Sequence, residues 1–238
     1  MKCSHALAAT VAACALLAGC TAQHNSSPGS ASSPSPVGSE ITPSNTASAH
    51  PSHTAVTDLK DWPTKPVTVD EMPHGKLLST TFGKGYTGSE FINRLAKQWH
   101  ITLGPRKKND FNKKDDVPPV WLAAGTGHSS TKATTDVTAV WELSGDLASL
   151  TCSVSRKVPD YKDFLRDCAK LNYPGAQPTV ATRWLKRTMP SLDKAHTQAK
   201  KPVGSPLYRS GQAASYLYEY DNGAEGTVDM LRIFGAAS

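Results

Sequence analysis

Apolar residues recur three and four apart over residues 87–101, so that Phe91, Ile92, Leu95 and Trp99 share one face of a helix. Thr87 and Glu90 have the spacing of a capping box, in which the hydroxyl accepts from the third helical amide and the carboxylate reaches back to the cap residue's own amide. The same period returns downstream. Tyr161, Phe164, Leu165, Cys168 and Leu171 form a second apolar stripe, with Asp160 in the N-cap position and Pro174-Gly175 closing the segment. A third helix is predicted over 179–189, stopped by Pro190, and the polar run from there to Pro202 reads as loop.

Elsewhere the period is two. Val137, Ala139, Trp141 and Leu143 alternate with polar residues, and so do Ala148, Leu150, Cys152 and Val154; a short Ser-Gly-Asp turn (144–146) joins the two runs as a hairpin. Residues 75–82, 117–124 and 205–210 also have strand character, whereas 104–116 and 124–131 read as loops. The chain ends in a hairpin of 214–220 and 227–234, with Asn222-Gly223 as its turn signal. The text "AVWELSGD" (139–146) faintly echoes "YLYEYDNG" (216–223), each following a predicted helix. The expected fold is therefore α+β: an antiparallel sheet of hairpins with about three helices on one face and a weak helix–hairpin repeat.

The first sixty residues follow neither period. Lys2 precedes an apolar run from Ala6 to Leu17, too short for a helix to span ~30 Å of hydrocarbon. The run ends in Leu17-Ala18-Gly19-Cys20. This tetrad resembles the lipobox of bacterial lipoproteins, a likeness confined to about the first twenty residues. The resemblance implies that Cys20 receives a diacylglyceryl group and becomes the first residue of the mature chain. It places the protein on the outer face of the cytoplasmic membrane, with its domain in the cell-wall space. Residues 1–19 are then a signal peptide, 20–60 a Ser/Thr/Pro-rich tether with a reach of roughly 35 Å, and 61–238 a single globular domain.

Export changes how the cysteines read. Cys3 and Cys14 leave with the signal, and Cys152 and Cys168 remain as an even pair on apolar faces of a strand and the following helix, which points to a disulfide. The charges of residues 1–60 cancel, so the whole formal +6 belongs to 61–238. Arg106, Lys107, Lys108, Lys113 and Lys114 crowd one loop, and Arg183, Lys186 and Arg187 one helix face. Such surfaces favour anionic headgroups or envelope phosphates, or are simply solvated. Nucleic acid is not expected, because export removes the usual targets and the loop holds a single aromatic, Phe111.

Candidate chemistry is sparse. Gly83-Lys84-Gly85-Tyr86-Thr87-Gly88 spells G-x-G-x-x-G, but it lacks a βαβ context and its glycines suit a turn; an anion at this helix start is the simpler use. His128 stands beside Ser129 and Ser130 without a nucleophile elbow. Glu142, Glu219, Asp221 and Asp229 sit in hairpins, where exposed strand charges are usual, although a pair of them would suit glycoside hydrolysis. No metal-ligand spacing and no cofactor motif stands out, and no catalytic residue is assigned. Tyr216, Tyr218 and Tyr220 share one strand face, which is a recognition surface if exposed and ordinary packing if covered. The expected role is membrane-anchored binding or accessory work in the envelope, its partner an anionic polymer or another envelope protein. The rivals are a hydrolase with a dispersed site and a protein-binding or inhibitor module using the last hairpin.

Overall fold

The computed structural model describes residues 58–73, 79–111 and 117–236. Residues 1–57, which hold the expected signal segment, Cys20 and all but the last three residues of the tether, and Lys113 and Lys114 lie outside the described residues. In chain order the strands and helices are β1 (Val67–Thr68), α1 (Ser89–Gln98), β2 (Thr102–Leu103), β3 (Lys107–Asn109), β4 (Val120–His128), β5 (Thr134–Trp141) and β6 (Leu147–Ser155). There follow α2 (Tyr161–Cys168), α3 (Pro178–Ala199), β7 (Val203–Gly204), β8 (Tyr208–Ser210), β9 (Ala213–Asn222) and β10 (Gly226–Gly235). His50–Ser238 form one compact unit.

All ten strands belong to one antiparallel sheet of order β1-β7-β9-β10-β6-β5-β4-β2, with β3 also on β4 and β8 also on β9. The α+β architecture expected from the sequence is the one observed. β1 comes first in the chain and closes the far edge beside β7; after it, each half supplies helix and then strands that step toward the centre, where β6 meets β10. The textual echo does not share this register. Aligned letter for letter, it matches Trp141, which is buried against the helices, with Tyr218, which points to the other face. A one-residue offset reverses every side chain in a strand, so the likeness is of order, not of position.

The core lies between the helices and one face of the sheet. Val137, Ala139, Trp141, Leu150, Cys152, Leu217 and Leu231 meet Phe91, Leu95, Phe164, Leu165, Leu185 and Leu192 there. Cys152 and Cys168, both without exposed surface, form a disulfide with Cα atoms 6.6 Å apart, tying β6 to the end of α2. A loop of this length contributes about 3 kcal/mol by restricting the unfolded chain.

Several local expectations give way to tertiary structure. The predicted third helix does not stop at Pro190: α3 runs on to Ala199 with the proline inside it. Met189, Leu192 and His196 are buried at helical spacing on both sides of that residue, and their contacts hold the second half in place. The capping box at Thr87 and Glu90 does not form. Gly88 caps α1 at φ +63, and a Cβ there would stand 2.5 Å from Leu147, so both conformation and space require glycine. Asp160 does stand at the N-cap of α2, but its side chain makes no capping bond.

The segment 124–128, read as loop, continues β4. Gly125 sits where a Cβ would lie 2.6 Å from the carbonyl of Thr102, so its glycine marks close packing of β2, not a turn. Part of the basic loop is likewise a strand, β3. Leu143 lies beyond β5 and is half exposed. A register shift beside Val140 and Trp141 breaks the alternation of β6, so Leu147, not Ala148, joins Leu150 in the core. Of the strand expected over 75–82, residues 75–78 lie outside the described ones, and Thr80 makes only an isolated bridge to Gly235.

Candidate functional site

The sheet's two faces carry different chemistry. On the face turned from the helices, cross-strand register aligns Tyr218 with Met230, Ser153 and Asp136, and Tyr216 with Arg232, Thr151 and Thr138. Tyr218 and Tyr220 are half-buried, with ring centroids 5.6 Å apart. Tyr216 is equally half-buried, but Trp62 packs on it at 5.0 Å, and Leu59 joins the same small cluster. The turn Leu59–Asp61 thus packs on the sheet, although its sequence reads as tether. Of the three tyrosines that the sequence groups together, Tyr216 packs into this cluster, and Tyr218 and Tyr220 lie outside it.

Burial raises the phenol pKa of Tyr218, helped by its neighbours Tyr216 and Tyr220 and by Asp70; burial, then the charge of Asp136, does the same for Tyr220. Both hydroxyls therefore stay protonated at neutral pH and serve as hydrogen-bond donors. The same face continues into a groove of about 560 Å³, floored by Val120, Val140, Ser149 and Arg232. Phe111 and Leu143, two of the three exposed large apolar side chains among the described residues, stand on its rim. That volume is within the usual range for ligand sites. Along β5, β6, β9 and β10 the open face bears one cation, Arg232, and one anion, Asp136; hydroxyls dominate the rest.

Under the helices the sheet hides charge. Glu219 has no exposed surface, and Asp229, its direct partner across β9 and β10, is 1 % exposed. Arg156, just after β6, binds both oxygens of Asp229 at 2.8 and 3.1 Å, approaches Glu219 at 2.8 Å and pairs with Asp193 of α3. His196, also on α3, brings Nδ1 to 3.1 Å from Glu219 and Nε2 to 3.7 Å from Asp221. Arg156 and the His196 ring each come within about 3 Å of a Glu219 oxygen, yet neither oxygen is in hydrogen-bond geometry. Burial and the Asp229 charge push the Glu219 pKa up to about 7 against the pull of Arg156. Burial opposes charge on Arg156 too, but its hydrogen bond with Asp229 and the surrounding carboxylates outweigh burial and raise its pKa.

Sequence alone suggests that Glu219 and Asp229 are exposed strand charges, and the structure corrects this. The period of two does hold the signal. Glu219 shares the helix-side face with Leu217, and Asp229 with Leu231 and Ile233. Arg156 and His196 carry no local signal, because they arrive from a turn and from the part of α3 beyond Pro190.

The other candidates disperse. The Gly83–Gly88 loop spends its Gly85 amide on Asp146 at 2.8 Å, so a carboxylate of the chain occupies this donor. Ser129 bonds Thr131 at 2.7 Å, not His128. Glu142 is exposed on the rim of the groove on the open face. In the basic loop, Arg106 lies over the Trp141 ring at 3.7 Å and donates to Ser89, and Lys108 pairs with Asp110. Among the described residues, no group of three or more His, Cys, Asp or Glu is placed to hold a metal ion, and no helix is long and apolar enough to cross a membrane.

No family model matches the chain, and neither a curated protein nor a solved structure does. Function is therefore read from the sites themselves.

Proposed function

We propose that this protein is a lipid-anchored lipoprotein of the bacterial envelope, a non-catalytic binding module whose open sheet face recognises an uncharged, hydroxyl-rich polymer of the cell wall. The observation that carries the reading is the asymmetry of the sheet. One face is closed by helices, and the other presents the Tyr218–Tyr220 pair, Ser and Thr rungs and a groove with apolar rims. Tyrosine rings offer flat apolar surface with a polar tip, suited to sugar rings, and the hydroxyl rungs supply both donors and acceptors. The near absence of charge on the long strands suits a neutral polymer better than an anionic one.

Anchoring rests on Cys20 in its lipobox context. Two or three acyl chains hold where one does not, and the Ser/Pro-rich segment 21–57 gives the domain reach into the wall space. Changing Cys20 to Ala is expected to release the protein from the membrane fraction; unchanged fractionation refutes lipidation.

Hydrolysis is the reading favoured by the 3.1 Å approach of His196 to Glu219. Against it stands Glu219's complete burial, since a carboxyl with no exposed surface touches no substrate while α3 is in place. Co-sedimentation of His50–Ser238 with protein-free insoluble wall polymer tests the binding reading. Binding lost in the Tyr218→Thr, Tyr220→Thr double variant supports it. Failure of the wild type to sediment excludes the polymer and leaves the protein-binding alternative for the same face.

A further inference from the structure

Cations gather on the other side of the molecule. α2 packs on β6 and β10 and α3 on β9, and a groove of about 640 Å³ is lined by residues of both helices. Lys162 and Arg166 of α2 and Arg183 and Lys186 of α3 line it, with Leu185 and Met189 at its floor. One acid, Asp163, stands among them and is held by Arg166 at 2.8 Å. Among the described residues, no carboxylate lies within ion-pair distance of Lys162, Arg183 or Lys186. The Arg106–Lys108 loop looks equally basic in sequence, but Arg106 lies over Trp141 at 3.7 Å and Lys108 pairs with Asp110, whereas in the groove the ring contact is the looser one of Lys162 over Tyr161, at 5.5 Å.

Pro190 adds to the same groove. Its ring lines the channel from within α3, so the residue expected to end the helix becomes part of this surface. Basic side chains around an apolar floor match an anionic amphiphile, with phosphate at the rim and hydrocarbon toward the floor.

We propose that the α2–α3 groove is the surface on which the domain lies against anionic phospholipid of the membrane that carries its anchor. Charge complementarity commits it to this occupant: three cations without a carboxylate partner and a paired fourth face an acidic leaflet, and each contributes binding that salt screens. Docked this way, the domain holds its helix layer against the membrane. The open tyrosine face then points away, into the wall. The proposal rests on the anchoring reading for which membrane the groove meets, and its test does not use the anchor.

The compact unit His50–Ser238, which has its own core and lacks the lipid, is floated with phosphatidylcholine vesicles with and without phosphatidylglycerol, at low and high salt. Binding is expected only with phosphatidylglycerol, and to fall steeply at high salt. The Arg183→Glu, Lys186→Glu pair is expected to weaken it about tenfold or more, whereas Lys107→Glu, Lys108→Glu, an equal charge change on another edge, leaves it near wild type. The neutral pair Arg183→Gln, Lys186→Gln, which adds no new repulsion within the fold, is expected to fall between. The proposal is overturned if wild type ignores phosphatidylglycerol, if the groove variants bind as wild type, or if the loop variant loses as much as they do. Membrane fractionation of Cys20→Ala reports on the anchor separately, so either reading can fail alone.

Discussion

Consecutive residues of β9 meet opposite environments. Leu217 and Glu219 point under the helices and have no exposed surface, while Tyr218 and Tyr220 point outward and stay half-buried. The covered face holds the fold together by apolar contact, a disulfide and an ionic cluster. The open face holds one smaller apolar cluster, Phe234 and Ala214 with Leu59, Leu207 and Tyr216, and outside it the Tyr218–Tyr220 pair and hydroxyl-bearing rungs. On the proposed reading, cohesion and recognition separate by position along one strand, and substitutions on the two faces should have opposite signatures.

The largest stability effect is expected from Arg156→Ala. It leaves Glu219 and Asp229 buried side by side without their cation, which costs about 3–5 kcal/mol in denaturant unfolding. An effect below 1 kcal/mol in magnitude would mean that the cluster is no more than a surface ion pair. Replacing both Cys152 and Cys168 with Ala follows, at about 3 kcal/mol under non-reducing conditions. Reductant should reproduce that loss in the wild type and leave the double variant unchanged.

Titration of Glu219 gives a smaller, pH-dependent effect. Its pKa in the folded state is raised to about 7 from an ordinary 4.5. The folded state thus binds the proton more tightly than the unfolded chain. This contribution is complete below about pH 4.5 and is lost as pH rises through about 7. Melting at pH 5 and pH 8 should show wild type losing several degrees that Glu219→Gln does not lose; parallel losses in both proteins would remove Glu219 as the source. The smallest stability effect belongs to the open face. Tyr218→Thr with Tyr220→Thr keeps β-branched residues in the strand and should cost about 1 kcal/mol, with binding as the property that changes.

The two periods in the sequence reveal the sheet hairpins and the first two helices because those segments bury one stripe or one face of their own. They fail where a distant partner decides. α3 crosses Pro190 because Leu192 and His196 find β9, and no local rule contains that contact. Gly125 reads as a turn residue until β2 is seen pressed against it. Cys152 and Cys168 were legible as a pair because both lie on apolar stripes sixteen residues apart. The ionic cluster was half legible: Glu219 and Asp229 fall in phase with buried leucines, but Arg156, Asp193 and His196 come from other elements. The basic groove needed residues of both α2 and α3, so Arg183 and Lys186 were visible as a charged helix face and Lys162 and Arg166 were not.

The division of labour between the faces is tested most directly by NMR spectra of isotopically labelled His50–Ser238 as soluble fragments of wall glycan are added. Perturbed amides are expected along the open face, at Tyr218, Tyr220, Met230, Thr151 and Arg232, with α2, α3 and the Arg156 cluster unmoved. Shifts confined to α2 and α3, or spread around His196 and Glu219, would contradict recognition by the open face.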